Sequence, residues 1–124
     1  MSQEDFQTEF NKAWKLRNAG ELQRVIEIVN KWLPKTQAMD DKASTALFLK
    51  LLAQVHTDQN ELKEALKLYK QAERLYIELE DAVKQMHTLR HIGTTFYELG
   101  EITCAQKCLV QVIDAYHELS LIHI

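Results

Sequence analysis

The chain says nearly the same thing three times, at a fixed interval of 40 residues. "AGELQRVIEIV" (19–29), "QNELKEALKLY" (59–69) and "LGEITCAQKCL" (99–109) align on Gly20, Asn60 and Gly100, each followed by Glu (Glu21, Glu61, Glu101). Repetition at this interval restricts the fold more than any other property of the sequence, because each unit must be one supersecondary element that stacks on the next. Apolar residues follow the aligned position at +2, +5, +9 and +12. They are Leu22/Val25/Val29/Trp32, Leu62/Ala65/Tyr69/Ala72 and Ile102/Ala105/Leu109/Val112. Steps of three and four are helical. A small residue stands seven positions before each aligned position: Ala13, Ala53 and Gly93.

The punctuation agrees. Gly or Asn suits the left-handed residue that closes a helix. The Glu after it sits where a negative charge meets the positive end of the next helix dipole. Asp41 and Asp81, also 40 apart, precede periodic segments as N-caps should. Each unit therefore reads as helix, tight turn, helix. The expected spans are 3–18, 22–33, 42–58, 62–79, 82–98 and 102–119. The stretch "LPKTQAMDD" (33–41), which holds the only Pro, is expected to be the one long loop. With 124 residues, three Gly and one Pro, the chain reads as a single all-α domain. Its units fall at about 1–40, 41–80 and 81–120, with a short apolar tail at 121–124.

Composition removes several functions. Lys and Arg total 15 against 18 Asp and Glu, and they are scattered, so no basic stripe for nucleic acid forms. No apolar run approaches the roughly 20 residues that span a bilayer. The acidic, amphipathic start "MSQEDFQTEF" is unlike a signal peptide, and Cys104 and Cys108 are badly spaced for a disulfide. Reduced thiols and a cytoplasmic location are expected. No phosphate loop or catalytic motif appears, so neither an enzyme nor a cofactor is expected.

The third unit, through Leu89, Ile92, Gly93, Phe96, Gly100, Ala105, Leu109 and Val112, resembles the tetratricopeptide repeat. The second resembles it through Leu49, Leu52, Ala53, Leu62, Ala65, Tyr69 and Ala72. The first is weaker, with Glu9 and Lys12 where apolar residues are expected, as in a terminal repeat. The period exceeds the usual ~34, and Ile77 and His117 stand where a Pro usually ends the second helix. Longer repeats of this kind are similar to those of kinesin light chains and bacterial peptide-sensing regulators.

The resemblance implies a right-handed α-solenoid of three hairpins, about six helices. Its concave groove, walled by the first helix of each pair, would bind a peptide or partner helix. Carried over position by position, the groove receives Phe10, Trp14 and Arg17, then Leu47, Lys50, Gln54 and Asp58, then His87, Arg90, Thr94 and Tyr97. Trp14, Arg17, Lys50, Gln54, His87, Arg90, Thr94 and Tyr97 are the expected ligand contacts, and their cations suit an acidic peptide. Some relatives grip a C-terminal carboxylate with a Lys/Asn/Asn/Lys/Arg set. Phe10, Trp14, Leu51, His87 and His91 hold those positions, so that clamp is not expected.

His87/His91 and Cys104/Cys108 are each four apart, as zinc ligands on a helix would be. Folding the hairpin at Gly100 sets the Cys level with Ile92 and Phe96 instead, so they read as packing residues and no metal is expected. Leu109, Ile113, Tyr116, Leu121, Ile122 and Ile124 form an apolar face at the C-terminal end. A homodimer or other protein partner through that face is the alternative to groove binding.

Overall fold

The computed structural model describes residues 3–122, and side chains from 6 to 119. Six helices follow in chain order: α1 (Gln3–Asn18), α2 (Leu22–Ala38), α3 (Lys42–Asp58), α4 (Leu62–Glu78), α5 (Ala82–Glu98) and α6 (Ile102–Ile122). Each packs on the next, and α1 also packs on α3. The first helices α1, α3 and α5 form one layer and the second helices α2, α4 and α6 the other.

The turns are built alike. Gly20, Asp40, Asn60, Glu80 and Gly100, 20 residues apart, all take positive φ between 54° and 83°. At each, two hydrogen bonds close the helix. In the first turn, Gly20 N–H donates to the Arg17 carbonyl and Glu21 N–H to that of Leu16, both at 2.9 Å. This is the Schellman arrangement, which satisfies carbonyls that the helix leaves open. The next helix then starts at once. The Asp41 and Asp81 carboxylates accept from the Ser44 and Lys84 N–H groups at 3.1 Å, as the sequence predicts. Glu21 and Glu61 stand at the same position without a side-chain cap bond.

The expected loop over 33–41 is not there. The α2 helix continues to Ala38, with Pro34 inside it. A helical Pro loses the hydrogen bond to the carbonyl four residues back, here that of Asn30. Pro34 and Asn30 both face water, where solvent can take that carbonyl. Continuing the helix buries Thr36, whose hydroxyl donates to the Leu33 carbonyl and accepts from Thr45 on α3, both at 2.9 Å.

The core runs along the stack. Phe6, Ala13, Val25, Val29, Trp32, Phe48, Leu51 and Val55 join the first hairpin to α3. Ala53, Ala65, Tyr69, Leu89, Ile92 and Val112 join the second to the third. The small residues found by alignment sit where helices come closest. Ala13 and Ala53 are fully buried. A Cβ on Gly93 would lie 3.2 Å from the Cβ of Cys108 and 3.2 Å from Leu109 Cδ2, so Gly93 lets α6 lie against α5.

Candidate functional site

The side expected to line the groove is the solvent side of α1, α3 and α5. On α5 it carries Lys84, His87, Arg90, His91, Thr94 and Tyr97, whose steps of three and four hold them to one side. The wall divides into two chemically different ends.

The α1 end is aromatic and electrically closed. Phe10 stacks on Trp14 with ring centroids 6.4 Å apart and meets Phe48 edge-on at 6.0 Å. Trp14 remains 38% exposed, so it is not a core residue. The Arg17 guanidinium lies 5.5 Å above the Trp14 ring. It also donates twice to Asp58, Nε to Oδ2 at 2.9 Å and Nη2 to Oδ1 at 3.1 Å. The two-pronged pair fits the fork of the guanidinium. It cancels the charge of the cation expected to steer an acidic ligand.

The α3–α5 end is cationic and electrically open. Among the described residues, Lys50, Lys84 and Arg90 have no carboxylate within ion-pair distance. Lys50 is half-buried, and its ammonium lies 5.8 Å from the Tyr76 ring centroid. Burial lowers the Lys50 pKa, and the charges of Lys84 and Arg90 lower it further. His91 stacks flat on Tyr69, with centroids 5.2 Å apart and planes 2° from parallel. Burial pushes its pKa down to about 4, helped by Lys50, Arg90, His87 and Arg17. His91 is therefore neutral at pH 7. The charges of Lys50 on α3 and Arg90 on α5 act on it most, with that of the ion-paired Arg17 on α1 the smallest.

Of the expected contacts, Trp14 and Arg17 lie together at one end, and Lys50, His87 and Arg90 together at the other. Gln54 is partly covered on α3, and Thr94 is exposed, donating back to the Arg90 carbonyl at 3.0 Å. Tyr97, 65% exposed, projects from the last turn of α5. Sequence reasoning passed over Lys84. It stands in the first turn of α5, where a cation opposes the helix dipole, and that misfit was the available signal. His91 was weighed as a metal ligand and as a carboxylate-clamp position, not as a groove contact. Its ring is engaged with Tyr69, while Cys108 packs beside Gly93 on the opposite side of α5.

On the opposite layer, two clefts open between successive second helices. One, of about 370 Å³, lies over α3 and sets Asp40 and Glu78 among Lys42 and Arg74. The other, of about 350 Å³, lies over α5 and sets Glu73 beside Lys70 and Arg74. The first is balanced in charge, and the second mixes both signs with one cation in excess.

At the C-terminal end, α6 leaves Leu109, Ile113 and Tyr116 exposed at 37%, 65% and 41%, with Val110 beside them. One repeat earlier, Tyr69 and Tyr76 hold the places of Leu109 and Tyr116 and are buried. Leu121 and Ile122 extend α6, but their side chains, and Ile124 altogether, lie outside the described residues.

No family model matches the sequence, and no curated protein matches it. Solved structures do. BtubC (BKLC) from P. vanneervenii superposes over 96% of this chain with a TM-score of 0.87 at 15% identity. The nearly identical TPR-like repeats of a Podospora anserina kinesin light chain superpose over 93% with a TM-score of 0.79 at 13% identity. The chain spans about half the length of these structures, 49% and 56%. The fold is a tetratricopeptide-like helical repeat solenoid, as the sequence predicts. Such solenoids are in general scaffolds for protein interaction and typically carry no catalysis. No helix among the described residues is long and apolar enough to cross a membrane.

Proposed function

We propose that this protein is an interaction module that docks a peptide or partner helix in the groove of α1, α3 and α5. The observation that carries the reading is that Lys50 on α3 and Arg90 on α5 both act on His91 while, among the described residues, neither has a carboxylate within ion-pair distance. Like charges brought together cost free energy unless something negative joins them. Lys50 and Arg90 orient the ligand. Trp14, partly exposed, and Tyr97, largely in water, supply apolar anchors of the kind that dominate binding energy. The module works inside the cell, in the cytoplasm, and performs no chemistry.

The test is affinity capture from a lysate of the source organism, comparing wild type with Arg90→Glu/Tyr97→Ala. A partner held by the first and lost by the second, with helicity unchanged, supports the groove. Identical capture by both removes it.

A second reading is assembly of copies through α6, favoured by the exposed Leu109, Ile113 and Tyr116. A dimer in light scattering that Leu109→Asp/Ile113→Asp dissociates would support it. A monomer at tens of micromolar would end it.

A further inference from the structure

We infer that the cleft between α2 and α4 is a binding site for a small zwitterion with an apolar side chain, a free aliphatic α-amino acid. The cleft lies on the layer opposite the groove, so the inference does not depend on the groove reading.

The cavity, of about 370 Å³, is lined by α2 with its closing turn, α3 and α4. Lys42 Nζ on α3 lies 3.5 Å from Glu78 Oε2 on α4. That contact sets the two helices in antiparallel register, with Thr45 roughly level with Leu75 and Leu49 roughly level with Gln71. Asp40, Lys42 and Glu78 therefore stand at the end nearest the α2–α3 turn. Arg74 follows one helical turn further in, and buried Leu49 lies beyond it. Charges of both signs thus gather at one end, and an apolar floor of Leu49 and half-buried Leu75 lies next to them.

Two of these charged groups are uncommitted. Among the described residues, neither the Arg74 guanidinium nor the Asp40 carboxylate makes an ion pair or a hydrogen bond. The set is not imposed by the repeat either. One unit further on, Ile77, Ala82 and Asp114 stand in the places of Gln37, Lys42 and Arg74, while Leu89 repeats Leu49. Leu49 belongs to the packing of every such unit, and the polar set belongs to this cleft alone among the two.

A ligand of one charge would satisfy one sign and be repelled by the other. An α-amino acid carries both on adjoining groups. Its carboxylate takes the fork of Arg74, its ammonium donates to Asp40, and its side chain lies over Leu49 and Leu75. Cavities for small ligands run from about 300 to about 1,000 Å³. This one is near the lower limit and holds a single amino acid rather than a length of peptide.

The probe is L-leucine, titrated to tens of millimolar into the ¹⁵N-labelled protein and followed by backbone amide shifts. N-acetyl-leucine lacks the ammonium and leucinamide lacks the carboxylate. Saturable shifts should gather on Gln37, Thr45, Gln71 and Arg74. Each derivative should bind about tenfold more weakly than leucine, the effect of one lost charged hydrogen bond. Arg74→Gln should weaken leucine by a similar factor without weakening leucinamide. Asp40→Asn, which keeps a residue that tolerates the φ of 54° there, should weaken leucine without weakening N-acetyl-leucine. Those selective losses separate recognition from a disturbed fold. Lys70→Gln, in the cleft over α5, should leave leucine within about twofold. No saturable shift, shifts gathered on the cleft over α5, or equal binding of leucine and either derivative would each overturn the site. So would an Arg74→Gln protein that loses leucine and leucinamide alike.

Discussion

Glu80 holds the same left-handed turn position as Gly100, with φ of 57° against 83°. An L-residue in that region costs roughly 1–2 kcal/mol. Gly avoids the cost but gives up roughly 0.5–1 kcal/mol more backbone entropy on folding. Glu80→Gly should therefore stabilise the fold by about 0.5–1 kcal/mol. Nothing lies within 4 Å of the Cβ position at Gly100, so Gly100→Ala should lose a similar amount through backbone conformation alone. At about 2.1 cal/mol/K per residue, 124 residues give an unfolding entropy near 0.26 kcal/mol/K. Each substitution should then move Tm by about 2–4 °C, upward for Glu80→Gly and downward for Gly100→Ala. Differential scanning calorimetry with circular dichroism reads both. A Glu80→Gly protein that melts lower would show that the Glu80 side chain does more than tolerate its turn, and the argument from backbone geometry would fail.

Other outcomes follow from the same structure. Gly93→Val should destabilise by about 1–3 kcal/mol, because the Cys108 Cβ is fixed to the α6 backbone and cannot swing aside; urea titration measures it. Asp41→Ala should cost about 1 kcal/mol through the lost cap on Ser44 N–H, while Asp41→Asn should cost less. His91 binds a proton more readily unfolded, near pH 6.5, than folded, near 4. Its contribution is whole above about pH 6.5 and falls away as pH drops toward 4. Denaturant midpoints measured from pH 7 to pH 4 should fall less steeply in His91→Phe than in wild type.

Much of this fold could be read before any coordinates. Asp41 and Asp81 cap, Gly20, Asn60 and Gly100 close helices, and Ala13, Ala53 and Gly93 mark close approaches, because each acts within a turn or two of its own position. The misreading at 33–41 came from giving Pro34 more weight than the burial of Thr36. Asp40 and Glu80 were passed over as closing residues because neither Asp nor Glu advertises positive φ as Gly does. The site was harder. Resemblance nominated Arg17 and Asp58 for one wall, but their ion pair spans 41 positions and depends on how α1 meets α3. Lys84 looked like one more surface lysine, because its electrostatic effect on Lys50 depends on how α3 meets α5.

Chemical-shift mapping tests the central claim most directly. The ¹⁵N-labelled protein would be titrated with the acidic segment of the captured partner, following backbone amides and the Trp14 and His91 ring signals. Changes concentrated on Trp14, Lys50, His87, Arg90, His91 and Tyr97 are the result expected of a groove-binding module. Changes concentrated on α6 around Leu109, Ile113 and Tyr116, with the groove unmoved, would contradict it.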